Sequence, residues 1–309
     1  MTRHLAIVGC TASGKSALAL AVAEAFGDVE LVSLDSMQVY RGMDIGTAKP
    51  TPAEQAAVPH HLIDVVAPDE EWSVRATQRA VTAALADIEA RGKRALLVGG
   101  TGLYVRAVVD QLAVPARDNS LRAELDEALD TATAYARVQA LDPAAAARIE
   151  PNNRRRILRA LEVLTAGTTF SDAGPGLDSY GPPAIDVTLV GVWLPRPVLA
   201  TRIEARFAAM REAGLVDEVR ALPADVSRTA RQAIGYKELF AHLDGEIPNL
   251  DEAFDLAVRR TRKFARRQRM WFRRDPRIRW IGTFGNPEAL TPFVLALWKE
   301  PVAATARAS

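Results

Sequence analysis

Hydrophobic and polar residues along the first hundred positions form blocks that predict strands and helices in turn. Three short apolar runs have the length of buried strands: 5–8, 30–34 and 94–98. Before the third run, four apolar residues recur at helical spacing: Val74, Val81, Leu85 and Ile88. This alternation predicts an α/β fold in which helices cover a parallel sheet.

The pattern changes between about residues 115 and 183, where no strand signal occurs and alanine, leucine and arginine dominate. Asp142 and Pro143 are typical of a helix N-cap and first position. An apolar β run at 187–194 follows and is predicted to rejoin the sheet. The chain thus predicts an α/β core, 1–114 with 184–299, an all-helical insertion domain, 115–183, and a disordered tail, 300–309.

A glycine-rich phosphate-binding loop follows the first strand and precedes a helix, which predicts a P-loop NTPase-like core. Its residues are Gly9, Cys10, Thr11, Ala12, Ser13, Gly14, Lys15 and Ser16. Glycine lets the backbone approach phosphate oxygens, the lysine adds positive charge, and the serine offers a hydroxyl to Mg²⁺. The loop predicts a ligand with a di- or triphosphate group, which includes ATP, but it does not identify that ligand.

Two residues at other strand ends are candidates for chemistry, because the carboxyl ends of parallel strands share one edge. Asp35 follows the second strand, where a carboxylate can hold Mg²⁺ through water, act as a general base, or only cap the next turn. The third strand leads to Thr101 and lacks the aspartate with which P-loop ATPases hold Mg²⁺. This combination favours group transfer over hydrolysis.

Charge is distributed unevenly, although the net charge is only +1. Between 259 and 279 the basic side chains are opposed in the sequence by Asp275 alone: Arg259, Arg260, Arg262, Lys263, Arg266, Arg267, Arg269, Arg273, Arg274, Arg277 and Arg279. They lie on a predicted helix over about 251–274. Such a block indicates a polyanionic partner, and the alternative is a solvated helix face.

A second basic helix is predicted at 154–166, within the insertion. Ile157, Leu161 and Leu164 form its expected buried stripe, which places Arg155, Arg159 and Glu162 outside. The two arginines lie one turn apart and could bind a phosphate backbone. A solvated face explains them equally well.

The remaining signals exclude other classes of site. The single cysteine, Cys10, excludes a disulfide framework and a cysteine-rich zinc site. His60 and His61 are predicted to be structural, because adjacent side chains point apart. No secretory signal and no membrane-spanning apolar run occurs, so the expected location is cytoplasmic.

Several strings occur in order along the chain: 9–16, 35–50, 59–64, 99–104, 152–162, 232–237, 266–268 and 271–273. Together these strings resemble one family closely, the bacterial tRNA dimethylallyltransferases, also called tRNA isopentenyl transferases. The resemblance runs from Ala6 to about Arg274. Cys10 stands where many members have proline, which leaves the phosphate-contacting positions intact.

The resemblance implies transfer of a dimethylallyl group from dimethylallyl diphosphate to N6 of adenosine 37, beside the tRNA anticodon. It implies Asp35 as general base, Thr101 holding an oxygen at the centre, and Mg²⁺ at Ser16. Arg202 and Arg206 would close over the diphosphate, and a monomer is expected. The expected contacts with the tRNA anticodon stem-loop are Asp35, Ser36, Met37, Gln38, Thr101, Arg122, Arg155, Arg156, Ile157, Leu158 and Arg159, with Arg266 and Arg267 from the basic helix.

Three alternatives remain at this point. A small-molecule P-loop kinase would share the loop, but the absence of the strand-end aspartate from this chain and the presence of the basic helix argue against it. A free-adenylate isopentenyltransferase would share the loop and Asp35 but would have little use for the arginine-rich helix. A nucleotide-gated RNA-binding module would leave Asp35 and Thr101 unexplained.

Overall fold

The computed structural model describes residues 3–115, 118–171 and 179–299. The predicted tail, 300–309, lies outside these residues. The chain divides into two compact units, one formed by Gln111–Gly181 and the other by Met1–Asp110 with Pro182–Ser309. No helix in the described ranges is long and apolar enough to cross a membrane.

The larger unit is built on a six-stranded parallel sheet with the strand order β3-β2-β4-β1-β5-β6. In chain order the strands are β1 His4–Val8, β2 Val29–Ser33, β3 His60–His61, β4 Arg94–Gly99, β5 Val187–Trp193 and β6 Arg279–Gly282. The α/β prediction is therefore confirmed, including the return of the chain to the sheet at β5. The central strands are mostly apolar and almost fully buried because helices cover both faces of the sheet.

Helices occupy most of the remaining described chain. Those before the insertion are α1 Lys15–Phe26, α2 Pro52–Ala57, α3 Val74–Ala90 and α4 Gly102–Val109. Those of the insertion are α5 Asn119–Ala128, α6 Thr131–Leu141, α7 Pro143–Ala146 and α8 Arg154–Thr165. Those after it are α9 Arg196–Glu212, α10 Leu215–Ala221, α11 Arg228–Arg231, α12 Tyr236–Leu243, α13 Leu250–Phe272, a 3₁₀ helix Pro287–Leu290 and α14 Thr291–Lys299.

Alternate residues of β1 enter the cores on opposite faces of the sheet, as the pleat of a strand requires. Leu5 and Ile7 pack with α1 and α14, whose Trp298 is fully buried. Val8 lies in the other core, which α3 and α4 cover and to which α13 contributes Phe272. The end of β1 is aligned with the ends of β4 and β5, so the loops that follow these strands start at the same edge.

The insertion has its own small apolar core, formed by residues of α6, α7 and α8 and the segments between them. Asp142 caps α7 through the Ala145 N–H, as the sequence indicates. The prediction that Glu162 is exposed is wrong, since only 2% of this residue is accessible. α5 and α6 both pack on α8 and bury it on more than one stripe.

Candidate active site

The loop 9–16 has the close packing that its glycines predict. A Cβ atom on Gly9 would lie 2.8 Å from Ser13 Oγ, and one on Gly14 would lie 2.3 Å from Pro287 Cγ. Gly14 also has a φ of +82°, in the left-handed region, where it caps the N-terminus of α1. Both positions therefore require glycine, because any side chain would clash or strain the backbone.

A cavity of about 400 Å³ lies at the carboxyl ends of the strands, beside this loop. Its polar lining includes Thr11, Lys15, Ser16, Ser33, Asp35, Ser36, Gln38, Thr101, Arg206, Gln232, Arg267 and Gln268. Apolar side chains complete the lining, among them Met37, Ile63, Phe207, Ile234 and Phe264. The structure thus brings together Asp35, Thr101 and the phosphate loop, which the sequence placed at separate strand ends.

Of the roles that were open for Asp35, the structure shows the cap of the turn directly. Its Oδ1 accepts the Met37 N–H at 2.8 Å, so the carboxylate does cap the turn after β2. No described residue donates a hydrogen bond to its Oδ2, and the residue lines the cavity. One carboxylate oxygen is therefore left for substrate.

Lys15 lies across the same cavity. Burial lowers the pKa of its ammonium group, and the Asp35 charge opposes this shift. The burial of a cation at this point costs free energy that an anionic ligand would offset.

Thr101 occupies the N-cap position of α4, but its side chain makes no capping hydrogen bond. Within the described residues its hydroxyl has no partner, and it lines the cavity. A hydroxyl at the start of a helix is well placed for an anionic oxygen.

The two arginines of α9 lie at the phosphate loop. Arg206 Nη1 donates to Thr11 Oγ1 at 3.2 Å, and burial lowers the pKa of its guanidinium while Asp35 raises it. Arg202 donates to the Gly285 carbonyl at 2.9 Å, and a Cβ on Gly14 would lie 3.2 Å from its Nη1. Both guanidinium groups therefore lie close to the predicted diphosphate site.

The side chain of Gln38 is hydrogen-bonded to neighbouring residues of the protein. Its side chain accepts from Ser33 Oγ at 3.0 Å and donates to the Ala48 carbonyl at 3.0 Å. Ser36 and Met37 line the cavity beside it. Contact of residues 35–38 with tRNA stays a prediction. If Gln38 contacts tRNA, it does so while its side chain keeps its hydrogen bonds to Ser33 and the Ala48 carbonyl.

Gln268 entered the sequence-based prediction only within the string 266–268, and its place in the site was missed. Its Oε1 accepts the Thr11 N–H at 2.8 Å, and its Nε2 donates to the Gly100 carbonyl at 2.7 Å. The signal available in the sequence was a polar residue in the middle of an apolar stripe, which calls for buried hydrogen-bond partners.

Glu218 was also missed. Its carboxylate accepts the backbone N–H groups of Asp44, Ile45 and Gly46, and it bonds the Tyr236 hydroxyl. Gly46 lines the cavity, so this carboxylate holds one of its walls in place.

Arg266 and Arg267 are exposed on α13, and Arg267 also lines the cavity and lies over the Phe264 ring. Two other arginines of the helix are ion-paired. Arg260 pairs with the buried Glu238 and Arg262 with Glu204. Asp275 is the only acidic residue within this stretch of the sequence, but in the structure acidic residues far along the chain also reach the block.

In the insertion, Arg155 and Arg156 are exposed, whereas Arg159 bonds Glu162 and the Pro115 carbonyl. Arg122 donates to the Arg155 carbonyl and lies 4.0 Å from Glu162. Ile157 and Leu158 are buried in the core of the insertion, so their side chains do not form part of an RNA-facing surface. Contact at these two positions stays a prediction and would involve the backbone.

His60 and His61 lie in β3, with ring nitrogens bonded to the Val58 carbonyl and to Glu30 respectively. Cys10 is buried at the loop, and burial raises the pKa of its thiol. Neither observation points to metal binding or redox chemistry at these residues. Among the described residues no three His, Cys, Asp or Glu side chains are grouped to hold a metal ion.

Known proteins with similar sequences cover nearly the whole chain. The "IPP transferase" family model matches residues 38–275, and an "Isopentenyl transferase" model matches 2–67. A tRNA dimethylallyltransferase of Streptomyces coelicolor is 46% identical over 98% of this chain and 97% of its own. One of Roseiflexus castenholzii is 50% identical over 89% of this chain and 90% of its own.

Solved structures agree with these matches. A full-length tRNA isopentenylpyrophosphate transferase from Bacillus halodurans superposes with a TM-score of 0.67 at 37% identity and covers 96% of both chains. A eukaryotic dimethylallyltransferase described as acting on tRNA has a TM-score of 0.78 and covers 97% of this chain and 81% of its own. At 24% identity the latter shows the fold alone. With a family model matched over most of its length and relatives this similar, the chain belongs to the IPP transferase family.

Proposed function

We propose that this protein transfers the dimethylallyl group of dimethylallyl diphosphate to N6 of adenosine 37 in tRNA. The observation that carries the proposal is the single cavity lined by the phosphate loop, Asp35 and Thr101. Relatives that match almost the full chain are named tRNA dimethylallyltransferases, which supports this transfer and not a small-molecule kinase or a free-adenylate transferase.

The diphosphate is the leaving group in this proposal, and the loop holds it. As the allylic C–O bond breaks, its electron pair goes to the diphosphate oxygen. Lys15 and Arg206 line the cavity with positive charge, and Arg202 lies beside Gly14. Fixed charges that face the developing negative charge lower the barrier.

The residues present fit Mg²⁺. Ser16 lines the cavity with an exposed hydroxyl, and Asp35 contributes carboxylate oxygen to the same space. Mg²⁺ prefers a few protein oxygens together with substrate phosphate and water, which is consistent with a site that has no described cluster of acidic ligands. When bound, it would neutralise charge on the diphosphate, with Ser16 as the loop ligand.

Asp35 is the proposed general base. The N6 amine of adenine is a poor nucleophile, because its lone pair is delocalised into the ring. As the new C–N bond forms, the free oxygen of Asp35 accepts the N6 proton. Thr101 holds an oxygen of the reacting groups through its unpartnered hydroxyl.

The base must leave the stacked anticodon loop to reach this cavity. We place the phosphate contacts of the tRNA on the exposed arginines of α13, Arg266 and Arg267, and on Arg155 and Arg156 of the insertion. We also propose that the protein acts as a monomer. Since tRNA is the substrate, the reaction belongs in the cytoplasm.

The test is mass spectrometry of tRNA incubated with the protein, dimethylallyl diphosphate and Mg²⁺. A gain of one five-carbon prenyl unit at adenosine 37 is expected, and fragments locate it. The Asp35→Ala variant should lose on the order of 10²–10⁴ in rate while diphosphate affinity stays within a few-fold. Unmodified tRNA together with rapid ATP turnover would instead favour the kinase, and tRNA binding without any product would favour the RNA-binding module.

A further inference from the structure

Gln268 connects three parts of the site that are far apart in the sequence. It lies on α13, and only 7% of its surface is accessible. One end of its amide bonds the phosphate loop at Thr11, and the other bonds the end of the β4 strand at Gly100. Because the first partner is an N–H and the second a carbonyl, only one orientation of the amide satisfies both.

The geometry around Gly100 shows how closely this amide is fitted. A Cβ on Gly100 would lie 2.7 Å from Gln268 Nε2 and 3.2 Å from the Gly9 carbonyl. Gly100 therefore has to be glycine for the amide to reach between the two loops. The residue after it is Thr101, and the side chain of Thr11 accepts from Arg206. Both ends of the amide thus adjoin groups that face the substrate.

We infer that Gln268 is a positioning residue for prenyl transfer, which sets the phosphate loop at a fixed distance from Thr101. This inference rests on the proposed function. The amide also holds the Thr11 N–H in a hydrogen bond to α13. Without it the loop can reorganise around that N–H, and the leaving group would shift relative to Thr101. A misplacement of about 1 Å costs a factor on the order of 10² in rate.

The inference predicts a split between the kinetic constants. Lys15, Ser16 and Arg206 still bind the diphosphate when Gln268 is changed, so its KM should stay within about three-fold. Turnover should fall by a factor on the order of 10² in Gln268→Met, which keeps the length of the side chain and loses both hydrogen bonds. A residue that served only the folding of α13 would lower the melting temperature and leave the turnover of the folded enzyme unchanged.

Gln268→Glu gives a second test, because the pH dependence of its turnover compares two protonation states of the same variant. A protonated carboxyl can accept from Thr11 N–H and donate to Gly100, whereas a carboxylate faces the Gly100 carbonyl with no proton to donate. Burial and the facing Gly100 carbonyl disfavour the carboxylate and raise the pKa of this carboxyl well above its usual range. The Asp35 charge acts in the same direction, whereas Lys15, Arg206 and Arg267, which line the same cavity, oppose the shift. Turnover relative to wild type at the same pH should therefore rise as the pH falls from about 8 toward 6, since carboxyl protonation increases with acidity.

The experiment measures kcat and KM for wild type, Gln268→Met and Gln268→Glu between pH 6 and 8, with tRNA saturating. The expected result is a pH-independent turnover loss for Met and a loss that recovers on acidification for Glu. The inference is overturned by a Met variant whose turnover stays within three-fold of wild type, by a Glu variant whose turnover does so at pH 8, or by a flat ratio for Glu across the pH range. If the Met variant does not fold, the pH course of the Glu variant decides alone. A wild-type enzyme that forms no product would overturn the proposed function first, so the two failures are distinguishable.

Discussion

The arginines of α8 and those of α13 have different surroundings, although both helices carry several basic residues beside an apolar stripe. In α8, Arg154 bonds Asp126 and backbone carbonyls, and Arg159 bonds the buried Glu162. Arg155 and Arg156 are exposed, and their side chains have no ion pair among the described residues. In the insertion, much of the positive charge is therefore used to hold the unit together.

In α13, two arginines are paired: Arg260 with Glu238 and Arg262 with Glu204. Exposed basic side chains without an ion pair to any described residue remain along the rest of the helix: Arg259, Lys263, Arg266, Arg267 and Arg273. The lesson is that the density of charge in a sequence overstates the charge available to a polyanion. Carboxylates that approach from elsewhere in the chain consume part of it.

The largest expected effect tests the structural role of charge in the insertion. Glu162→Ala removes the carboxylate that Arg159 and the Asp118 N–H both contact. Breaking a buried pair in this way should cost about 3 kcal/mol of unfolding free energy in the insertion. Hydrogen exchange measures this loss of stability separately in the two units, by comparing peptides from 119–165 with peptides from the sheet.

Glu162→Gln is the matched control for this variant, because it keeps the shape and an acceptor and removes only the charge. It should lose less stability than Glu162→Ala. Equal exchange in wild type and both variants would mean that the cluster around Glu162 contributes nothing to the insertion, and the contrast between the two helices would fail.

The second prediction concerns the free charge of α13. Replacing Arg266 and Arg267 by alanine should reduce the slope of log affinity for tRNA against log salt by about one to two units, since each phosphate contact contributes about 0.7 to 0.9. The affinity for dimethylallyl diphosphate should change little. Filter binding or fluorescence anisotropy at several salt concentrations measures the slope, and an unchanged slope would identify these arginines as a solvated surface.

A smaller change is expected in the insertion. Arg155→Ala with Arg156→Ala should lower the slope by about one unit, because these side chains are exposed and not ion-paired. Arg159→Ala should instead act mainly on the stability of the insertion, through its bond to Glu162. If the salt slope changes in Arg159→Ala and not in the double variant of Arg155 and Arg156, then Arg159 contacts tRNA and the exposed pair does not, contrary to this prediction.

The smallest effect is predicted for Arg262→Ala. Its partner Glu204 is exposed, so the loss in unfolding free energy should stay below about 0.5 kcal/mol. Its effect on the salt slope for tRNA should be smaller than that of Arg266→Ala alone on the same helix. Similar slopes for the two single variants would show that ion pairing does not withdraw an arginine from RNA.

Local patterns in the sequence were enough for the α/β architecture. The phosphate loop, the strands beside it and the capped helices depend on periodicity and on glycine, which act within a few residues. Asp35 and Thr101 could be placed at one edge because parallel strands align their carboxyl ends. The resemblance in several strings then identified the family.

The tertiary structure decided which polar groups have partners, because those partners lie far along the chain. Gln268 bonds residues 257 and 168 positions away, and Arg260 meets Glu238 across 22 positions. Glu162 was misplaced because an amphipathic helix was assumed to have one buried face, whereas α5 and α6 both cover α8. The sequence by itself determined the elements and the family, since these follow from local backbone preference and ordered strings. Only the tertiary structure decided which arginines have no ion pair and that the Gln268 amide links the phosphate loop to Gly100. Burial and hydrogen bonding depend on neighbours in three dimensions, which the sequence does not specify locally.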